Sequence, residues 1–388
     1  MVGERKLRIG VAGLGRAFTV MLPTFAADPR VALVAATDPR AEARSRFATD
    51  FSAKTYDTVE ALCADPAVEI VYVATPHQHH AQHAILAAQC GKHVLVEKPM
   101  ALTLEECAAM IAAAQGVHLV VGHSHSFDAP ILRARALIAG GDFGTVRMIN
   151  TLNYTDFVYR PRRPEELDTA QGGGAIYSQA AHQVDIVRLL GGGEVKSVRA
   201  ATGAWDAARP TEGAYSALFT FQNGAFASLT YGGYGHFDSD EFLGWTGEMG
   251  QAKTPYGRTP QRFASPEAEA AAKSARNYGG ANYQPAADPP PAHQSFGLLI
   301  ASCERAELRP LPNGVMIYRN GTARLDPLPL PCVPRGEVID ELYGAVVRGI
   351  APLHDGAWAM ATLEACLAIL RSAREGREIA LAHQVPVR

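Results

Sequence analysis

The ten residues from Gly91 to Met100, GKHVLVEKPM, restrict the possible folds more than any other stretch of this 388-residue chain. Val94 to Val96 is an apolar, β-branched run of strand length, and it stops at a carboxylate, an amine and a proline that cannot extend a ladder. Glu97 and Lys98 are therefore expected at the carboxyl end of a buried strand. In open parallel sheets ligands bind outside that end, so both residues are candidates to meet a cofactor or substrate. A lysine so placed can act as a base where desolvation or a nearby cation favours its neutral form. The plainer reading is a surface lysine that closes a strand.

The length predicts two domains rather than one core. A formal charge of −3 supplies no global field for nucleic acid or an anionic membrane, so a small-molecule partner is expected. The six cysteines include no C-x-x-C pair, which indicates neither a disulfide framework nor a zinc ribbon and fits a reducing cytoplasm. The short, charged opening runs directly into a strand and is not expected to be a signal peptide, and no apolar run reaches membrane-spanning length.

Leu7 to Ala12 reads as a first strand that meets Gly13-Leu14-Gly15-Arg16-Ala17-Phe18 and then a helix, Thr19 to Ala27. Two glycines permit a tight turn and close approach of backbone to a pyrophosphate resting on the helix N-terminus. The third glycine of the G-x-G-x-x-G pattern is replaced by Phe18, which leaves open a ligand-free βα turn. A second strand, Val31 to Ala36, delivers Asp38, an acceptor for an adenosine ribose that would favour NAD; Arg40 could instead pair with the 2′-phosphate of NADP. A third apolar strand, Val68 to Ala74, ends in Thr75, Pro76, His77 and His80, expected as a loop and helix start beside the same cofactor. His79 and His83 have the spacing of a zinc-binding helix face but lack the H-E-x-x-H glutamate and a third ligand, so no metal is expected. The alternation of strands and helices predicts a doubly wound parallel sheet, with a domain boundary near residues 122–127.

Together, G-L-G-R at 13–16, Asp38, V-A-T-P at 73–76 with His80, G-K-H-V-L-V-E-K-P at 91–99, and G-G-G followed by His182 and Asp185 resemble the glucose-fructose oxidoreductase, inositol dehydrogenase and MocA family, and the match extends to S-A-R-E-G-R at 372–377. The resemblance implies a Rossmann domain over 1–124, an α+β domain with a large, mainly antiparallel sheet over 125–388, bound NAD or NADP, and homodimers or homotetramers joined through that sheet. It also implies Lys98 and His182 as the catalytic pair. H-S-H-S-F-D at 123–128, the stretch from Asn153 to Asp168 and S-Q-A-A-H-Q-V-D at 178–185 resemble the branch of phthalate 4,5-cis-dihydrodiol dehydrogenases. Many relatives carry aspartate where this chain has Ser178, which disfavours a plain sugar or inositol.

In the second half, Arg160, Arg162 and Arg163 lie between prolines and form a candidate site for substrate carboxylates, because the guanidinium fork binds carboxylates bidentately. The alternative is a solvated loop neutralised by Glu165, Glu166 and Asp168. His125, Ser178, Gln179 and His182 are further substrate candidates, with Ser178 and His182 one helical turn apart and Asp185 placed to orient the histidine or merely to pack. Residues 232–296, rich in Gly, Pro and Ala, are expected as a lid or subunit arm containing His236, Asp238 and Trp245. The resulting expectation is an NAD(P)-dependent dehydrogenase of a carboxylated ring cis-diol, with Lys98 as base and His182 as orienter or relay. A sugar or cyclitol dehydrogenase, a redox-assisted glycosidase and a non-catalytic cofactor-bound regulator are the alternatives.

Overall fold

A computed structural model describes residues 5–256, 262–284 and 290–388. Contacts divide the chain into two compact units, one built from residues 5–123, 265–284 and 332–360, the other from 124–256, 262–264, 290–331 and 361–388. The division is not one cut near residue 124, because two later segments return to the first unit. Of the expected insertion 232–296, residues 257–261 and 285–289 lie outside the described residues.

The first unit runs β1 (Leu7–Ala12), α1 (Arg16–Ala27), β2 (Val31–Thr37), α2 (Ala41–Phe51), β3 (Lys54–Tyr56), α3 (Val59–Ala64), β4 (Ile70–Val73), α4 (His80–Gln89), β5 (His93–Val96), α5 (Leu104–Ala113) and β6 (Leu119–Val121). Its strands form one parallel sheet in the order β3-β2-β1-β4-β5-β6. The expected third strand is thus the fourth, since the three-residue β3 is too short to carry an alternation signal. Val94, Leu95 and Val96 are fully buried, as a strand covered on both faces requires. The order reverses between β1 and β4, and such a switch point opens a crevice at the strand tips. Gly13, Asp38, Thr75 and Lys98 all lie just beyond the carboxyl ends of β1, β2, β4 and β5.

The second unit contains α6 (Ala129–Ala139), β7 (Val146–Tyr154), α7 (Ala181–Gly191), β8 (Val195–Gly203), β9 (Ala214–Phe221), β10 (Phe226–Gly232), β11 (Leu298–Cys303), β12 (Glu307–Leu311), β13 (Gly314–Arg319), β14 (Thr322–Pro327) and β15 (Ile379–Ala380). They form a nine-stranded sheet, β14-β13-β12-β11-β7-β10-β9-β8-β15, antiparallel except where β10 runs parallel to β7. In this sheet β13 and β14 form an antiparallel hairpin, and β11 pairs with β12.

Polar side chains fix α7 on this sheet. Gln183 is fully buried; its amide donates to Thr151 Oγ1 of β7 (3.0 Å) and Thr230 O of β10 (3.3 Å), and accepts from the Tyr215 hydroxyl of β9 (2.6 Å). Two residues on, Asp185 accepts hydrogen bonds from Ser126 and from Thr362 Oγ1, and that threonine accepts from the fully buried Arg188 at 2.7 Å. Burial pushes the Arg188 pKa down to about 10, with Asp185 opposing the shift, so the guanidinium stays charged at neutral pH. Removing one member of a buried charge pair typically costs about 3–5 kcal/mol. Asp185→Ala should lower the urea midpoint accordingly, and Thr362→Val by less, both read by equilibrium denaturation.

Candidate active site

At the strand tips of the first unit, Gly13 has φ of +98°, and a Cβ there would lie 2.8 Å from the Ala74 carbonyl oxygen. Only glycine lets the β1 turn pass so close to the exit of β4. Gly15 caps α1 without a side-chain hydrogen bond, no acidic residue stands in the first turn, and a Cβ at Gly15 would meet nothing within 4 Å. The helix thus starts at Arg16 behind a glycine and with no acidic side chain in its first turn, an arrangement that fits the pyrophosphate of a dinucleotide.

Asp38 accepts from Leu14 N at 2.8 Å and from Arg40 Nε at 2.9 Å and Nη2 at 3.2 Å. Arg40 also reaches Leu14 O (2.8 Å) and Tyr278 O (3.1 Å). The guanidinium expected to compete for a 2′-phosphate is therefore paired with the neighbouring carboxylate itself. Tyr278 also explains Phe18. Its ring packs edge-on against Phe18, 5.3 Å between centroids, and Phe47 of α2 completes the cluster at 5.9 Å from Phe18. Aromatic packing from a distant segment fills the position where a third glycine would let a helix approach a strand.

His80 is fully buried, with Nδ1 2.9 Å from Pro99 O and Nε2 2.9 Å from Thr75 O. Burial outweighs the two carbonyls and pushes its pKa down to about 4, so the ring is neutral and donates to one of them at a time. It braces the Thr75 loop against the Lys98-Pro99 tip. Thr75 Oγ1 lies 3.1 Å from His83 Nδ1, and the half-buried His77 ring meets His80 edge-on at 5.6 Å. Glu97 is buried and accepts from the Tyr72 hydroxyl at 2.5 Å. Burial raises its pKa, while Tyr72 and the charges of Arg335 and Lys98 oppose the rise. Lys98 itself is half-buried.

In the second unit, His182 lies buried near the start of α7, and its ring contacts those of His125 (4.7 Å) and Phe296 (5.1 Å). The His125 backbone N–H donates to His182 Nδ1 at 3.4 Å, which leaves the proton of a neutral ring on Nε2. His125 donates from Nδ1 to Asp128 (2.7 Å) and from Nε2 to Glu248 (3.4 Å). Burial alone would lower its pKa, but the two carboxylates win and push it up to about 9. Asp128 spends its carboxylate here and gives α6 no side-chain cap. Three buried oxygens, Ser124 Oγ, Gln179 Oε1 and Ser295 Oγ, have no hydrogen-bond partner among the described residues. Ser124 adjoins His125, Ser295 adjoins Phe296, and Gln179 stands one turn before His182.

Residues Ile176–Ala180 form a π-helical turn ahead of α7, so simple α-helical spacing does not carry Ser178 onto the histidine's face; Ser178 is half-buried, whereas Gln179 is buried. Asp185 is bonded by Ser126 and Thr362, which gives it a part in seating the helix.

The three arginines have separate fates. Arg163 pairs with Glu165 (3.0 Å) and Glu166 (3.4 Å), the neutralised alternative. Asp168 instead caps the turn at Ala170 and bonds Gln171. Arg162 lies over the Phe157 ring at 3.8 Å and donates to Phe157 O at 2.9 Å; burial pushes its pKa down to about 10. Arg160 pairs with Asp156 (2.8 Å) and with Glu248 (3.5 Å). Glu248 thus bridges His125 and Arg160, and the region expected as a lid contributes Glu248 and Phe296 to this cluster. Of the candidates named there, Asp238 pairs with Lys253 and Trp245 packs on Tyr256. Asp128 had a local signal, three residues after His125; Glu248, Phe296 and Tyr278 had none.

A parallel sheet with a switch point, an uncapped glycine turn at its first tip and an acidic residue at its second define a dinucleotide-dependent oxidoreductase. The family described as an oxidoreductase family with an NAD-binding Rossmann fold matches residues 7–125, and its C-terminal domain matches 131–252. The chain belongs to this GFO/IDH/MocA family. It is 49% identical over 378 residues, 95% of each chain, to the 1-carboxy-3-chloro-3,4-dihydroxycyclohexa-1,5-diene dehydrogenase of Comamonas testosteroni. A crystal structure from Bordetella bronchiseptica RB50 aligns with a TM-score of 0.90 and 39% identity, over 97% of this chain and 100% of that one. A levoglucosan dehydrogenase solved with NADH and levoglucosan shares the fold, with a TM-score of 0.74 and 18% identity, over 97% of this chain and 99% of that one. Among the described residues, no helix is long and apolar enough to cross a membrane.

Because the His125 pKa is raised in the folded state from 6.5 to about 9, its charge contributes stability that is fully present below pH about 6.5 and is lost as pH rises through about 9. Urea midpoints measured at pH 6, 7.5 and 9 should fall over that window in the native chain, and the fall should be shallower in His125→Asn.

Proposed function

We propose that this protein oxidises a carboxylated cyclic cis-diol to the corresponding catechol with NAD. The carrying observation is near full-length similarity to a dehydrogenase whose name specifies a carboxylated dihydroxycyclohexadiene. Supporting it, Arg160, in the loop after β7, is joined through Glu248 to His125, so the arginine loop and the histidine cluster share one charged network.

NAD, when bound, supplies the hydride acceptor. Lys98 takes the proton of the reacting hydroxyl, and His182, with its proton on Nε2, donates a hydrogen bond to the same oxygen and fixes its lone pairs. His125 holds the His182 tautomer through its backbone N–H, and Asp128 and Glu248 hold His125. Arg160 orients the ring by its carboxylate. The ketone formed next to the remaining carbinol tautomerises to a catechol, and aromaticity makes the oxidation run forward. The Asp38–Arg40 pair favours NAD, since a 2′-phosphate would face a carboxylate while Arg40 is engaged by Asp38, Leu14 and Tyr278. Leu218 and Phe226, both more than 40% exposed on the nine-stranded sheet, support a homodimer or homotetramer assembled through that sheet. A cytoplasmic location accords with an enzyme drawing on the NAD pool.

NADH absorbance with a carboxylated aromatic cis-dihydrodiol, set against a panel of sugars and inositols, tests the substrate class; turnover confined to the sugars would defeat it. Lys98→Ala should lower kcat by orders of magnitude while NAD affinity stays within about three-fold, as for a group acting mainly in the transition state. Arg160→Ala should raise KM for the carboxylated diol with a smaller change in kcat, and an unchanged KM would remove Arg160 from the site.

A further inference from the structure

We propose that the Gln179 side chain recognises the second hydroxyl of the diol, the one that is not oxidised, by accepting its hydrogen bond at Oε1. This rests on the cyclic-diol reading above. Gln179 is only 6% exposed, and its Oε1 is buried without a partner among the described residues. Native interiors rarely leave an acceptor in that condition unless a ligand or water meets it. Gln183, one turn further along the same helix, shows the ordinary outcome, with three protein partners for its amide.

The location is equally specific. Gln179 stands in the π-helical turn Ile176–Ala180, three residues before His182, and π turns inside α-helices concentrate at functional sites because they re-aim side chains. The other partnerless buried oxygens, Ser124 Oγ and Ser295 Oγ, adjoin the two residues whose rings contact the His182 ring.

Charge explains the residue type. An amide oxygen accepts from a hydroxyl as a carboxylate does, yet carries no net charge to repel an anionic ring. With Gln179 as the acceptor, Ser178 does not need to supply one. Gln179 supplies that hydrogen bond one position later, from within the π turn.

The test is calorimetric binding of stable product-like ligands to the full chain in the presence of NAD, comparing 3,4-dihydroxybenzoate with 3-hydroxybenzoate and 4-hydroxybenzoate. The native protein should prefer the diol to the weaker of the two monohydroxy ligands by on the order of 10- to 100-fold, the range of one buried hydrogen bond. Gln179→Leu should bring that ratio close to one, with NAD affinity and thermal midpoint unchanged. Gln179→Glu should keep the preference for the diol while weakening all three anions. A preference that survives in Gln179→Leu, or an equal loss for all three ligands, would overturn the assignment and leave Gln179 a packing residue. Oxidation of the carboxylated dihydrodiol by the native enzyme is scored separately. If that fails and no benzoate binds, the substrate reading and this assignment fall together; if it succeeds while the ratio stays unchanged, the assignment alone falls.

Discussion

A carboxylate buried at the tip of β5 is the constraint around which the first unit is arranged. Glu97 cannot be covered without compensation, because desolvating an unpaired carboxylate costs more than a folded domain can spare. Its compensation comes from three directions: the Tyr72 hydroxyl on β4, the charge of its neighbour Lys98, and the charge of Arg335, far along the chain. The lysine is thereby presented on a strand tip whose own anchoring is polar and directional, which is more exacting than apolar packing alone. His80 adds a second brace by linking the Thr75 loop to Pro99.

The second unit solves a related problem with a helix instead of a strand. Gln183, Asp185 and Arg188 give α7 a set of buried polar contacts that are satisfied at one rotation and one height on the sheet. His182 inherits that orientation. Around it, an imidazolium at His125 joins Asp128 to Glu248, and Glu248 reaches on to Arg160. Proton position, ring orientation and a guanidinium are thus joined in one electrostatic chain, so a change at Glu248 is felt at both the histidines and the arginine loop.

Much of the scaffold was legible because it is local. The apolar run 94–96 had to be a covered strand, and Gly13 had to make a turn forbidden to a side chain. The His125–Asp128 pair also lay within reach of sequence, since three residues separate its members. Phe18 was legible only as a departure from the glycine pattern; the Tyr278 ring that accommodates it comes from a segment with no recognisable motif. The arginine loop read ambiguously for the same reason, because nothing local says which carboxylate each guanidinium will meet.

By itself, then, the sequence determined the alternation of strands and helices, the residues at the strand tips and the family to which the chain belongs, since periodicity, turn chemistry and short motifs are properties of contiguous residues. Tertiary structure alone decided that Arg40 pairs with Asp38, that Arg163 is neutralised while Arg160 joins Glu248, and that Gln179 is left with a buried acceptor. The reason is physical: a buried charge or hydrogen-bonding group takes whichever partner the topology brings within about 3 Å, and that choice is made by segments far apart in the chain.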